Sequence, residues 1–173
     1  MSKTMILAIG GAGCNMAETI MYVANAHWVK EATYLFADSD MERLSQLRKK
    51  GFETLSLQSE SDSFPTEKLR GVEKLYILAG LGGMTGGKFA EIAAKSAKSD
   101  GVNNVALIVT IPFVFEGSGK LTKATEALKS LSDLPVKVLN NEELIERYID
   151  INFMNAFEYS DKEALKAIES GLL

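Results

Sequence analysis

The chain has 173 residues, of which 46% are hydrophobic and 24% are charged, as expected for a globular domain with a sizeable core. Its net charge of −4 argues against the basic surface of a nucleic-acid-binding domain, so no nucleic-acid partner is expected. The single cysteine, Cys14, excludes an internal disulfide, and no apolar run approaches the roughly 20 residues of a membrane span. These features predict a cytoplasmic protein without a membrane span.

Apolar runs alternate with segments of helical spacing along the whole chain. The predicted strands cover residues 4–9, 33–36, 53–57, 74–79, 104–111 and 136–139. A first helix is predicted to begin near residue 15. Further helices are predicted at 41–49, 88–99, 120–131 and 141–148, and one or two helical segments in 153–173. Because the strands do not alternate between apolar and polar residues and are separated by helices, they indicate a parallel sheet. We therefore predict an α/β fold over residues 1–173: a single Rossmann-like domain with about six strands and helices on both faces.

Four loops that contain glycine or acidic residues directly follow predicted strands, at residues 10–14, 37–40, 80–87 and 112–119. Ligands of open parallel sheets bind beyond the carboxyl ends of the strands, and all four loops are expected to line one edge of the sheet. Cys14, at the end of the first loop, is expected to be a small loop residue rather than a catalytic nucleophile.

Gly80–Gly87 has the strongest chemical signal, since it places five glycines in eight residues between a strand and a helix. Glycines let backbone N–H groups turn towards an anion, and a helix N-terminus adds positive partial charge. Gly10–Gly13 is a second glycine-rich junction of the same kind, and two such junctions suit a di- or triphosphate better than one. The alternative is a tight strand-to-helix turn that binds nothing.

Two common nucleotide motifs fit only in part. Gly82–Lys88 nearly has the Walker A spacing, but Phe89 stands where that loop needs a Ser or Thr hydroxyl for magnesium. Gly11–Met16 resembles a dinucleotide-binding turn, with Asp38 at about the right distance for a ribose contact. Met16 would oppose the close helix–strand packing of that motif, which also leaves Gly80–Gly87 unexplained.

A third class accounts for both glycine runs and for more of the chain. Gly82–Gly86 resembles the G-G-G-T-G signature of the tubulin/FtsZ family, and it follows a fourth strand as it does there. Five further stretches resemble family motifs in the family's order: Ile9–Asn15, Asp38–Asp40 with Leu44, Thr110–Gly117, Asn141–Ile145, and Ala156–Phe157 with Asp161. Together they cover nearly the whole chain, so the chain resembles the nucleotide-binding domain of this family.

The resemblance implies a site for GTP or GDP, with Mg²⁺ as a possible companion and no catalytic residue or protein metal site. The implied phosphate-binding residues are Gly82, Gly83, Thr85 and Gly86, assisted by Gly11, Gly13 and Asn15. Glu116 would accept a hydrogen bond from the ribose, and Lys120 stands where the family usually has an arginine. Asn141 and Asp161 would contact the guanine edge. The alternatives are a solvated carboxylate for Glu116, a helix N-cap for Asn141 and a surface residue for Asp161.

The sequence also departs from the family pattern. Met84 and Lys88 replace glycines of the signature loop, and Ala12 and Cys14 replace glycines of the first loop. In the family an acidic loop after a central helix completes the GTPase site of the next subunit, and residues 1–173 contain neither that loop nor a second domain. We therefore expect little or no GTP hydrolysis by the chain alone, and possible self-association or an FtsZ-like partner. The alternative function is a degenerate, non-catalytic interaction module of the same fold that binds no nucleotide.

Overall fold

The computed structural model describes residues 3–152 and 154–170. The strands are β1 (Thr4–Ile9), β2 (Thr33–Asp38), β3 (Thr54–Ser56), β4 (Lys74–Gly80), β5 (Asn104–Ile111) and β6 (Val136–Asn140). The helices are α1 (Gly10–Val23), α2 (His27–Glu31), α3 (Met41–Lys49), α4 (Met84–Ser99), α5 (Ser118–Ser130), α6 (Asn141–Arg147) and α7 (Ala156–Glu169). All strand pairs are parallel, in the order β3-β2-β1-β4-β5-β6. The predicted six-stranded α/β fold is confirmed.

The sheet separates two hydrophobic cores. In the register of the central strands, Leu7 lies beside Ile77, which lies beside Leu107, and all three belong to the core that includes Phe89 of α4. Their neighbours in sequence point to the other face, where the core includes Ile20 of α1. Strands that are buried on both faces need apolar residues at consecutive positions, which is why the sequence shows continuous runs.

The strand order reverses between β1 and β4. From β1 the chain builds outwards through β2 and β3 on one side, and from β4 through β5 and β6 on the other. The crevice at the carboxyl ends of β1 and β4 is therefore a topological switch point, where parallel sheets usually bind ligands. Both α1 and α4 begin at this crevice.

Two helix starts differ most from the prediction. α1 begins at Gly10 and α4 at Met84, whereas helices were predicted from about residue 15 and from residue 88. Glycine disfavours helix interiors, so the glycine runs indicated loops, but in the structure residues 10–13 and 84–87 form the first helical turns. Cys14 is consequently a buried helix residue and not a loop residue.

The last part of the chain agrees with the predicted helical segment over residues 156–169, where α7 lies. Residues 154–155 and 170, which the prediction also included, form turns, and residues 153 and 171–173 lie outside the described residues. Within the described ranges, no helix has both the length and the apolar character needed to cross a membrane.

Candidate functional site

A cavity of about 550 Å³ lies at the switch point, above the carboxyl edge of the sheet. All the residues predicted to bind nucleotide except Gly13 are among its described lining residues: Gly11, Asn15, Gly82, Gly83, Thr85, Gly86, Glu116, Lys120, Asn141 and Asp161. These residues come from loops and helices that are far apart in sequence, and the parallel sheet brings them to one edge.

Two helix N-termini converge on one end of this cavity. The N-cap residues of α1 and α4, Ile9 and Gly83, make no side-chain capping hydrogen bond, and neither first turn contains an acidic residue. The first N–H groups of a helix have no partner within the helix, and they carry the positive end of its dipole. This end of the cavity can therefore bind an anion through backbone groups.

Some of the glycines are needed for close packing. A Cβ atom at Gly13 would collide with the carbonyl oxygen of Leu78, and one at Gly86 would collide with that of Gly80, so α1 and α4 lie against the backbone of β4. Gly83, in contrast, has open space around its would-be Cβ. The structure thus explains why residue 13 is glycine by packing, and a phosphate contact from it stays a prediction.

Hydroxyl groups link the second strand to the signature loop. Ser39 Oγ lies 2.8 Å from Thr85 Oγ1, and the Ser39 N–H donates to Asp38 Oδ1 over 2.7 Å. Thr85 is thereby held at the cavity in the first turn of α4. A phosphate contact from its hydroxyl stays a prediction.

Arg43 of α3 also lines the cavity, although it was not among the predicted site residues. Its Nη1 donates to Oδ2 of the buried Asp38 over 2.6 Å, and this hydrogen bond raises the pKa of Arg43. The guanidinium lies so close to Gly11 that a Cβ atom there would be 2.9 Å from Nη1. The sequence did contain a signal for Arg43. Asp40 is the N-cap of α3, so Arg43 lies in the first turn of the helix that directly follows the loop at residues 37–40.

The carboxylate of Glu116 is fixed in position. Its Oε2 accepts a hydrogen bond from the N–H of Phe113 over 2.8 Å, and Oε1 lies 3.6 Å from Lys120 Nζ. Because its side chain is only 16% exposed, the alternative of a solvated loop carboxylate is wrong. Lys120, which is half-exposed, brings positive charge to the same wall of the cavity.

Asn141 and Asp161 both line the cavity, and a hydrogen bond links Asn141 to Ser160, the neighbour of Asp161. Ser160 Oγ donates to Oδ1 of the buried Asn141 over 2.6 Å, and Thr19 Oγ1 donates to Asp161 Oδ2 over 3.0 Å. Burial raises the pKa of Asp161 to about 6. The helix-cap alternative for Asn141 is wrong, since Asn140 is the N-cap of α6. Asp161 is half-buried and lines the cavity, so it is not merely a surface residue.

Of the residues that replace family glycines, Ala12 and Met84 are among the described lining residues of the cavity, and Cys14 and Lys88 are not. Met84 is 81% exposed. Lys88 donates to the Ser59 carbonyl over 2.8 Å and lies 3.3 Å from Asp62. Cys14 lies behind the cavity, and burial raises the pKa of its thiol to about 12, so the helix start does not activate it.

No cluster of three or more histidine, cysteine, aspartate or glutamate side chains suited to a metal occurs in residues 3–152 and 154–170. Mg²⁺ in nucleotide sites usually needs only one or two carboxylates in addition to phosphate oxygens. The carboxylate of Asp38, which lines the cavity, is already bound to Arg43. A role for Mg²⁺ therefore stays a prediction.

Comparison with known proteins places the chain among bacterial and archaeal relatives. No protein-family model matches it. It is 27% identical over 185 residues to the cell division protein FtsZ of Mycoplasmopsis pulmonis, covering 94% of this chain and 46% of the relative. It is 28% identical over 189 residues to FtsZ 1 of Thermococcus kodakarensis, covering 97% and 49%. The chain thus spans about half the length of these curated relatives.

Solved structures agree on the fold. An empty FtsZ dimer from M. jannaschii superimposes with a TM-score of 0.77 at 21% identity, covering 99% of this chain and 55% of that one. The GTPγS-bound protofilament of CetZ2 from Haloferax volcanii gives a TM-score of 0.74 at 18% identity, covering 98% and 58%. Over nearly its whole length the chain is therefore similar in sequence to FtsZ proteins, and it has the fold of the solved FtsZ structure.

Proposed function

We propose that this domain binds GTP or GDP in the cavity at the switch point. The observation that carries the proposal is the combination of two uncapped helix N-termini with Asn141 and Asp161 in one cavity. The first feature suits a phosphate chain, and the second offers the polar groups that a guanine edge requires.

The positions of these residues suggest how the nucleotide lies. The phosphates would contact the N–H groups at Gly11 and at Gly83–Gly86, with Thr85 as a hydroxyl donor. Glu116, fixed on β5's side of the cavity, would accept from the ribose. The guanine N1–H and 2-amino groups would donate to the Asp161 carboxylate, and the amide of Asn141 would complete the contact.

We also propose that the chain hydrolyses little GTP alone. The carboxylates around the cavity are already engaged: Asp38 with Arg43, Asp40 with the first N–H groups of α3, Glu116 with a backbone N–H and Asp161 with Thr19. A general base must reach the attacking water, and a carboxylate held by other donors is poorly suited to that task. The structural relatives include a dimer and a protofilament, which supports self-association or an FtsZ-like partner as a further expectation.

A calorimetric titration of the purified chain with GTP, GDP, ATP and NAD tests the proposed function. The protein should first be stripped of any bound nucleotide. We expect saturable binding of GTP and GDP, with ATP at least about tenfold weaker because adenine offers no N1–H and 2-amino pair to Asp161. Equal or tighter binding of ATP or NAD would reject the assignment to guanine. A complete lack of nucleotide binding would favour the alternative, an interaction module of the same fold.

A further inference from the structure

Arg43 presents a guanidinium group at the phosphate end of the cavity. A Cβ atom at Gly11, in the first turn of α1, would lie 2.9 Å from Nη1 of Arg43, so the guanidinium lies against that turn. Both Gly11 and Arg43 line the cavity.

The ion pair with Asp38 holds Arg43 but does not use up its donors. The hydrogen bond to Asp38 uses Nη1, and within the described residues the N–H groups of Nη2 and Nε have no acceptor. Asp38 itself is fixed by accepting from the backbone N–H groups of Ser39 and Asp40. A guanidinium can bind a carboxylate with one edge and a phosphate with the other, so Asp38 acts as a positioning residue for the free edge.

The sheet order places Arg43 at the far end of the cavity from the base contacts. Arg43 follows β2, whereas Asn141 follows β6. Four strand spacings separate β2 from β6, which is about 19 Å across the sheet edge. A nucleotide with its base at Asn141 and Asp161 would run past Glu116 and the start of α4, and its outermost phosphates would then arrive at Arg43.

We propose that Arg43, positioned by Asp38, binds the terminal phosphates of the nucleotide and makes affinity depend on the number of phosphates. The inference rests on the proposed nucleotide function and extends it to a residue at a variable position of its motif. Without Arg43, the carboxylates of Asp38 and Asp40, which also line the cavity, would have no guanidinium beside them. Loss of Arg43 should therefore remove attraction and add repulsion.

The test compares guanosine, GDP, GTP and inorganic tripolyphosphate as calorimetric ligands of the wild type and of Arg43→Ala. For the variant we expect GTP and tripolyphosphate affinity to fall about a hundredfold and GDP affinity by less. Guanosine affinity should stay within about twofold. Arg43→Lys should recover only part of the GTP affinity, because lysine keeps the charge but lacks the planar fork.

Arg48→Ala is the matched control. It removes the same charge from the same helix, where Arg48 is exposed and bonds Thr54, and it should leave all four affinities unchanged within about twofold. Unchanged GTP affinity in Arg43→Ala, or an equal loss for guanosine and GTP, would overturn the proposal. If Arg43→Ala does not fold, the same criteria apply to Arg43→Lys.

The experiment distinguishes the role of Arg43 from the assignment of guanine as the bound base. Binding of tripolyphosphate that depends on Arg43, without any preference for guanine, would keep the role of Arg43 and refute the assignment of the base. Wild-type protein that binds guanosine but loses nothing on substitution of Arg43 would refute this inference alone. A wild type that binds none of the four ligands would refute both.

Discussion

Replacing Gly13 with alanine should lower the free energy of unfolding by about 3 kcal/mol. In a helix the change from glycine to alanine is ordinarily favourable by up to about 1 kcal/mol. Here the new methyl group would collide with the carbonyl oxygen of Leu78, which belongs to a central strand and cannot move aside. Steric overlap should therefore outweigh helix propensity, as urea denaturation followed by circular dichroism would measure.

Gly119→Ala is the control for this experiment. Gly119 is also a helical glycine, in α5, but no atom lies within 4 Å of its would-be Cβ. This variant should be as stable as the wild type or more stable by up to about 1 kcal/mol. If Gly13→Ala were equally well tolerated, the close approach of α1 to β4 would be wrong, and a phosphate contact would become the better reason for glycine at position 13.

Asp161→Asn should change which base the domain prefers. The carboxylate can accept from both the N1–H and the 2-amino group of guanine, whereas an amide presents a donor that suits the 2-oxo group of xanthine. We expect GTP affinity to fall about a hundredfold and XTP to become the better ligand. The Asn oxygen can still accept from Thr19, so the fold should tolerate the change. Parallel titrations with GTP and XTP measure the effect, and an unaltered preference in the variant would exclude Asp161 from the base site.

The same residue predicts a pH dependence. Burial raises the pKa of Asp161 to about 6, so the carboxylate is ionised at pH 8 and largely protonated at pH 5. A protonated carboxyl accepts poorly from guanine, and binding should weaken as the pH falls through 6. Guanosine, which has no titrating phosphate, is the suitable probe. If Asp161 is the titrating group, Asp161→Asn should not show this loss; an identical pH profile in both proteins would assign the titration elsewhere.

Much of the fold could be predicted because burial on both faces of a parallel sheet requires continuous apolar runs. β5 lies at its predicted residues for this reason. α3 lies at its predicted residues because it has clear apolar spacing. The starts of α1 and α4 could not be predicted in the same way. Their glycines oppose helix formation locally, and only packing against β4, which is a tertiary effect, makes those turns helical.

Some residues of the candidate site could be predicted from the sequence and others could not. Motif order brought Glu116, Asn141 and Asp161 into consideration, and the fold does place them around one cavity. Arg43 was missed because it occupies a variable position of its motif and acts through Asp38, five residues away in sequence. The N-cap of α6 is Asn140 and not Asn141, a shift of one residue that depends on where β6 ends.

Amide hydrogen exchange with and without GDP tests most directly whether this cavity binds a guanine nucleotide. We predict that GDP slows exchange in residues 10–16, 82–87 and 157–161, where the first turns of α1 and α4 and the base contacts lie. Residues 66–73, which precede β4 at the opposite edge of the sheet, should exchange at the same rate in both samples. Unchanged exchange at a saturating GDP concentration, or protection confined to other segments, would contradict the account.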